Sequence, residues 1–183
     1  MGVNFTKYSR FLLLLLVLTC YTSLSTVQAQ ATRRINKNYL YYPVYIYNFC
    51  KYIQWPEQGN EIVIGVLGNS AIIPQLQRMA YIKSNPNMRF IIKRFNDEKS
   101  IGYCHVLFLP NTYNVDIKQL YRNLQGKNIL FITEDQRFIR KYSCINFITV
   151  RGKPLFQMNT TQISKAKLAV SNKLLSLAIV VRQ

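Results

Sequence analysis

Only one histidine, His105, and seven acidic residues occur among 183, against 24 lysines and arginines. That scarcity bears first on catalysis. A nucleophile needs a base within reach and usually a third group to orient it, and a hydrolytic carboxylate pair needs two acids held across one cleft. The acids are Glu57, Glu61, Asp97, Glu98, Asp116, Glu134 and Asp135. The two adjacent pairs fall in loops or helix starts, where acids favour the helix N-terminus. In "CHVLFLP" Cys104 directly precedes His105, but neighbouring strand residues point to opposite faces, so the two do not converge on one substrate or ion. The other cysteines stand too far away in sequence for a zinc finger or knuckle. No catalytic residue, metal site or cofactor is assigned, and His105 reads as a satisfied histidine at the start of a buried strand.

Long apolar runs are equally scarce. The one that stands out, "FLLLLLVL", follows Lys7 and Arg10 and precedes small residues in "VQA" at 27–29. This is the pattern of a cleaved secretory signal, 1–29, too short in its apolar core to cross a bilayer. Thr19 stands before Cys20 where a lipoprotein signal wants a small residue, which disfavours lipidation. No second apolar stretch reaches about 18 residues, so the mature chain is expected to be soluble and exported. Residues 30–42 form a polar, tyrosine-rich lead-in, and 43–183 one domain. Cleavage removes two basic residues and no acid, leaving a charge of +15. Such a field favours anionic partners. An exported chain rarely meets nucleic acid, and the basic residues are scattered rather than blocked, as on a solvated basic surface.

What is present in quantity is alternation of strand and helix. Pro43 opens a helix on which Ile46, Phe49, Cys50 and Ile53 recur at helical spacing, ended by Trp55-Pro56. "EIVIGVL" is a buried strand; "GNS" turns it into a helix as far as Ile82, with Ser70 as a cap. "MRFIIKRF" and "CHVLFLP" are strands two and three. The helix "NVDIKQLYRNLQ" has Asn114 as cap and Gly126 at its end. "KNILFIT" is a fourth strand, "EDQRFIRK" a short helix, and "CINFITV" and "LFQM" a hairpin joined by "RGKP". Ser164 to Val181 reads as a helix, with Val170, Leu174, Leu177 and Val181 on one face. The fold class is α/β: a mainly parallel sheet with helices on both faces and an antiparallel C-terminal edge hairpin.

Three features are candidates for binding. In "VLGNSA" a strand ends at Gly68 and a helix begins near Ser70, so the N–H groups of Gly68, Asn69 and Ser70 could hold a small anion at the carboxyl edge of the sheet. Six of the mature tyrosines crowd into residues 39–52, and Tyr41, Tyr45 and Tyr52 suit a partner surface, since tyrosine tolerates one apolar and one wet side. The mature cysteines, Cys50, Cys104 and Cys144, are three in an oxidising compartment, so one bridge (Cys50–Cys104) and none both remain open. A Cys104–Cys144 bridge is not expected, because an intervening strand puts about 9.5 Å between the third and fifth strands.

Taken together, "YNFCKYIQWP", "IVIGVLGNS", "GYCHVLFLP", "GKNILFIT", "INF", "LFQMN" and "SNKLLSLAIVV" resemble, in order and spacing, the YfiR family of periplasmic proteins from about Tyr45 to Val181. The resemblance implies a non-enzymatic α/β domain. It also implies a partner, the periplasmic sensor domain of an inner-membrane diguanylate cyclase or sensor kinase, held inactive so that biofilm formation is restrained. Its pattern falls on Asn48, Phe49, Trp55, Pro56, Gly68, Cys104, His105, Asn146, Phe147, Phe156, Asn159, Leu174 and Leu175, most of which read as fold residues. Two departures matter. Gly65 stands where relatives often carry a cysteine able to pair with the one matching Cys104, and Gln157 replaces a usual glutamate. A regulator that controls a membrane sensor is the first expectation, a small-anion-binding module using the Gly68–Ser70 turn the second. A homodimer is compatible with either.

Overall fold

The computed structural model describes residues 37–57 and 59–182; the expected signal peptide and the lead-in up to residue 36 lie outside them. Three runs of apolar residues make the centre of the sheet: β2 (Glu61–Leu67), β4 (Val106–Leu109) and β5 (Leu130–Thr133) are buried almost end to end. A strand flanked by neighbours and covered on both faces has no wet side and needs no polar alternation. β3 (Arg89–Phe95), β6 (Ile145–Val150), β7 (Lys153–Asn159) and β9 (Ile179–Val181) complete a seven-stranded sheet in the order β3-β2-β4-β5-β6-β7-β9. Strands β3, β2, β4, β5 and β6 run parallel, and only β6–β7 is antiparallel. Its two-residue turn puts Arg151 and Gly152 both at positive φ, 49° and 76°, the backbone twist a tight hairpin favours. The hairpin is not the outermost element, because β9 adds to β7 in parallel.

Helices cover both faces. On one, α1 (Tyr42–Tyr52) buries Tyr42, Ile46 and Phe49. Tyr42 stacks on Phe147 with centroids 3.8 Å apart, and Phe49 meets Phe156 edge-on at 4.9 Å. α2 (Ile72–Lys83) packs beside α1 and β3. On the opposite face lie α3 (Ile117–Leu124) and α4 (Thr160–Lys165), joined by the Tyr121 hydroxyl donating to Gln162 at 2.7 Å. A two-stranded antiparallel pair, β1 (Ile53–Gln54) with β8 (Ala169–Val170), ties the end of α1 to the C-terminal segment.

Five sequence expectations are corrected. The long helix from Ser164 to Val181 does not form; its place is taken by the end of α4, β8, the four-residue α5 (Asn172–Leu175) and β9. Lys167 sits at φ 56°, which ends α4, and Ser171 caps α5 through Leu174 N–H. The β-branched Ile179-Val180-Val181 then prefers extended backbone. Residues 134–141 are a series of turns, not a helix. The cap of α3 is Asp116, whose Oδ1 accepts from Lys118 and Gln119 N–H, rather than Asn114. α2 begins at Ile72, two residues after Ser70. Finally, the end of the lead-in belongs to the core: Lys37–Leu40 is a 3-10 turn, and Tyr39 and Tyr42 are buried.

Candidate functional site

His105 spends both ring nitrogens inside the fold. Nδ1 accepts from the buried Val63 N–H at 3.0 Å, and Nε2 meets the Tyr103 hydroxyl at 2.9 Å. The His105 carbonyl accepts from Leu130 N–H and, at 3.3 Å, from the Trp55 indole. An Nδ1 that accepts fixes the proton on Nε2, and burial lowers the pKa below its usual value. The side chain thus continues the β2–β4 ladder one step past Val106, where the strand begins. Cys104 is buried and burial pushes its thiol up to about 12, far from a nucleophile's range. Cys50, Cys104 and Cys144 are all free, buried thiols. No Cys50–Cys104 bridge forms, and β5 lies between the strands that follow Cys104 and Cys144, as expected.

The Gly68–Ser70 turn does not present an open anion cradle. Gly68, at φ 75°, donates its N–H to Phe95 O, and the Tyr113 ring lies so close that a Cβ there would stand 2.3 Å from it. Ser70 is buried and its Oγ and carbonyl accept from the first N–H groups of α2; Asn69 alone is exposed.

The three tyrosines fare differently. At 3.6 residues per turn, Tyr41, Tyr45, Asn48 and Tyr52 fall within a strip ~60° wide on α1. Tyr41 and Val44 are 53% and 59% exposed, and Leu40 beside them 60%. Tyr45 is half-buried against Phe147 and Phe156 and donates its hydroxyl to Pro154 O at 2.8 Å, while Asn38 donates to Thr149. The start of α1 therefore stands beside the β6–β7 turn. At the other end Tyr52 is flanked by Lys51 and Lys173, whose Nζ atoms lie 5.5 and 5.3 Å from its ring. One continuous surface thus runs from an apolar end at Leu40–Val44 to a basic-aromatic end at Tyr52.

The family-pattern residues sit mainly inside. Phe49, Trp55, Phe147, Phe156 and Leu174 are core residues, Leu175 packs against that core, and Asn48 is half-buried and Pro56 exposed. Asn146 accepts from Thr133 Oγ1 and donates to Phe147 O and, at 3.4 Å, Gln157 Oε1. Asn159 caps α4 and donates to Ile139 O and Arg140 O, holding the 134–141 turns in place.

Those turns border a cleft of about 490 Å³ at the carboxyl ends of β4 and β5. Its lining includes Asn111, Tyr113, Thr133, Glu134, Phe138 and Tyr142. Glu134 Oε2 accepts from Tyr39 Oη at 2.9 Å and from Asn111 N–H at 3.1 Å. Burial, above all, raises the Glu134 pKa from its usual value. Asp135 at the rim pairs with Arg137, which holds its carboxyl below the usual range. Nothing in the motif reading pointed here. The available signal was an acid pair placed directly after the buried strand "LFIT".

Among the described residues no cluster of three or more His, Cys, Asp or Glu could hold a metal ion, and no helix is long and apolar enough to cross a membrane. A family described as YfiR/HmsC-like has a model that matches residues 43–179. No curated protein matches the chain.

Proposed function

The chain belongs to the YfiR/HmsC-like family over residues 43–179, and from that premise we propose that it is a periplasmic, non-enzymatic regulator of an inner-membrane diguanylate cyclase or sensor kinase. The observation that carries the reading is the strip on α1. It runs from exposed Tyr41, with exposed Leu40 and Val44 beside it, to a Tyr52 bracketed by two lysines, the mixture of aromatic anchors and polar rim that protein interfaces favour. The dispersed chemistry supports it as well: the single histidine is spent on the β2–β4 ladder and the three thiols are buried.

Regulation then needs no chemistry. A protein that binds only the inactive conformation of a sensor domain stabilises that conformation by its differential affinity. The partner surface is expected to carry an apolar patch bordered by acidic groups facing Lys51 and Lys173. Crosslinking and co-purification from membranes test the reading, with cyclic-di-GMP and surface attachment measured in a deletion strain. Unchanged cyclic-di-GMP on deletion, with no sensor protein recovered, overturns the cyclase version. A sensor kinase among the recovered proteins selects the other.

A further inference from the structure

We propose that the pocket between α3 and α4, on the face of the sheet opposite α1, binds a medium-chain carboxylate, a small anion with an apolar tail. Its apolar wall is Leu124 of α3, Phe131 of β5, Ala166 at the end of α4, and Ile129 and Cys144, which lead into β5 and β6. All of these but Ala166 are buried, and the free thiol of Cys144 counts here as a small apolar group. The wall is set before any ligand arrives. Tyr121 Oη donates to Gln162 Oε1 at 2.7 Å, and Gln162 Nε2 donates to Lys141 O at 3.0 Å. A pocket held in this way spares a ligand the cost of ordering it.

Charge chooses the sign of the ligand. Lys165 is the only charged residue of the lining; it is exposed and forms no ion pair among the described residues. No Asp or Glu occurs in residues 117–133 or 136–183, the stretches that supply every lining residue. The same stretches place Arg122, Lys127, Lys141 and Lys167 each next in sequence to a lining residue. The acids at the ends of those stretches are engaged elsewhere. Asp116 caps α3, Asp135 pairs with Arg137, and Glu134 is held by Tyr39 and Asn111. An anionic head that meets Lys165, with its tail on the buried wall, uses both halves of the site. At about 30 Å³ each, the liquid volume of a water molecule and close to that of a methylene group, about eight carbons fill a pocket of about 250 Å³.

The site lies across the sheet from the α1 strip and does not depend on the identity of any partner. Titration of the full exported chain with octanoate, followed by calorimetry and by amide NMR, tests it. Hexanoate, octylamine and 1-octanol probe chain length and charge. Octanoate is expected to bind and to perturb amides of residues 124–131, 142–144 and 162–166. Each methylene removed weakens binding about fourfold, so hexanoate is expected to bind about sixteenfold more weakly. Octylamine, which turns attraction into repulsion, is expected to bind about tenfold more weakly. Lys165→Gln is expected to weaken octanoate about fivefold and to leave 1-octanol unchanged. Ala166→Phe fills the pocket and is expected to abolish binding of both; should it fail to fold, the exposed Lys165→Gln change still decides. No binding of octanoate, equal binding of hexanoate or octylamine, or perturbations confined to other residues overturns the proposal. Undiminished octanoate binding in Lys165→Gln or in folded Ala166→Phe does the same.

Discussion

At the scale of the residue, His105 shows how a lone titratable group can be structural. With Nδ1 accepting from Val63 N–H, the imidazole must be neutral in the fold, because a protonated ring would turn a donor towards a donor. Its folded pKa is lowered by burial. The stabilisation it gives is therefore fully present above the unfolded value of about 6.5 and is lost as pH falls through that value towards the lower folded one. Urea midpoints measured between pH 8 and pH 5 are expected to fall with acidity, and the His105→Gln variant, which keeps an acceptor without a proton to gain, should flatten that dependence. His105→Ala leaves the buried Val63 N–H without its acceptor, a loss of about 1–3 kcal/mol. The role of His105 was legible because a single histidine beside an apolar run has few chemical options. Its partner was not, since nothing local in "CHVLFLP" points to a backbone amide 42 residues earlier.

At the scale of the element, legibility follows the number of constraints a segment obeys. The buried strands and α1 announced themselves because burial and periodicity agreed. The C-terminal segment misled because Val170, Leu174, Leu177 and Val181 repeat at helical spacing by coincidence. Leu174 is core, Leu177 is 66% exposed, and Val170 pairs with Ile53, three fates that one helical face would not give. The cleft was invisible for another reason: Glu134, Asn111 and Tyr39 meet only once three separate connections converge. On α1, the strip at Tyr41–Tyr52 was partly legible, and its function is separable from its packing. Val44→Asp, at an exposed position, should change stability by no more than about 0.5 kcal/mol, yet a charge at the apolar end should abolish recovery of the sensor protein. Tyr45→Ala should instead lower the melting temperature, because that ring packs on Phe147 and Phe156. A second element-level test concerns β2. A Cβ at Gly65 would lie 3.4 Å from Cys104 Sγ but 2.4 Å from the Phe95 ring. Gly65→Cys alone is expected to leave thiols free or to misfold. Combined with Phe95→Ala it should form a 65–104 disulfide, read by non-reducing peptide mapping. Closing a loop of about 40 residues stabilises by about 4 kcal/mol, close to the 3–5 kcal/mol lost with a buried phenylalanine ring.

At the scale of the whole molecule, positive charge dominates. Exposed Arg89, Lys93 and Arg94 decorate the outer strand β3, which discourages pairing with another sheet, while β9 at the opposite edge is only three residues long. Basic residues outnumber acids 24 to seven, so the molecule approaches an acidic partner as a strongly positive body. Charge of this kind acts on encounter more than on residence. Raising salt from about 0.01 M to about 0.1 M shortens the screening length from about 30 to about 10 Å. Association with the sensor domain, followed by surface resonance, is therefore expected to slow with salt while dissociation changes little. A salt effect confined to dissociation would place the charges inside the contact instead.

The ring of Phe95, which fills the space a side chain at position 65 would need beside Cys104, has a wider meaning. A regulator whose two central strands carried a pair of thiols at this spot would keep a record of the oxidants it had met, and its grip on a partner could drift with that history. Here one half of the pair is a hydrocarbon and the other is sealed from solvent. The centre of this protein carries no such pair, and what holds it together there is packing.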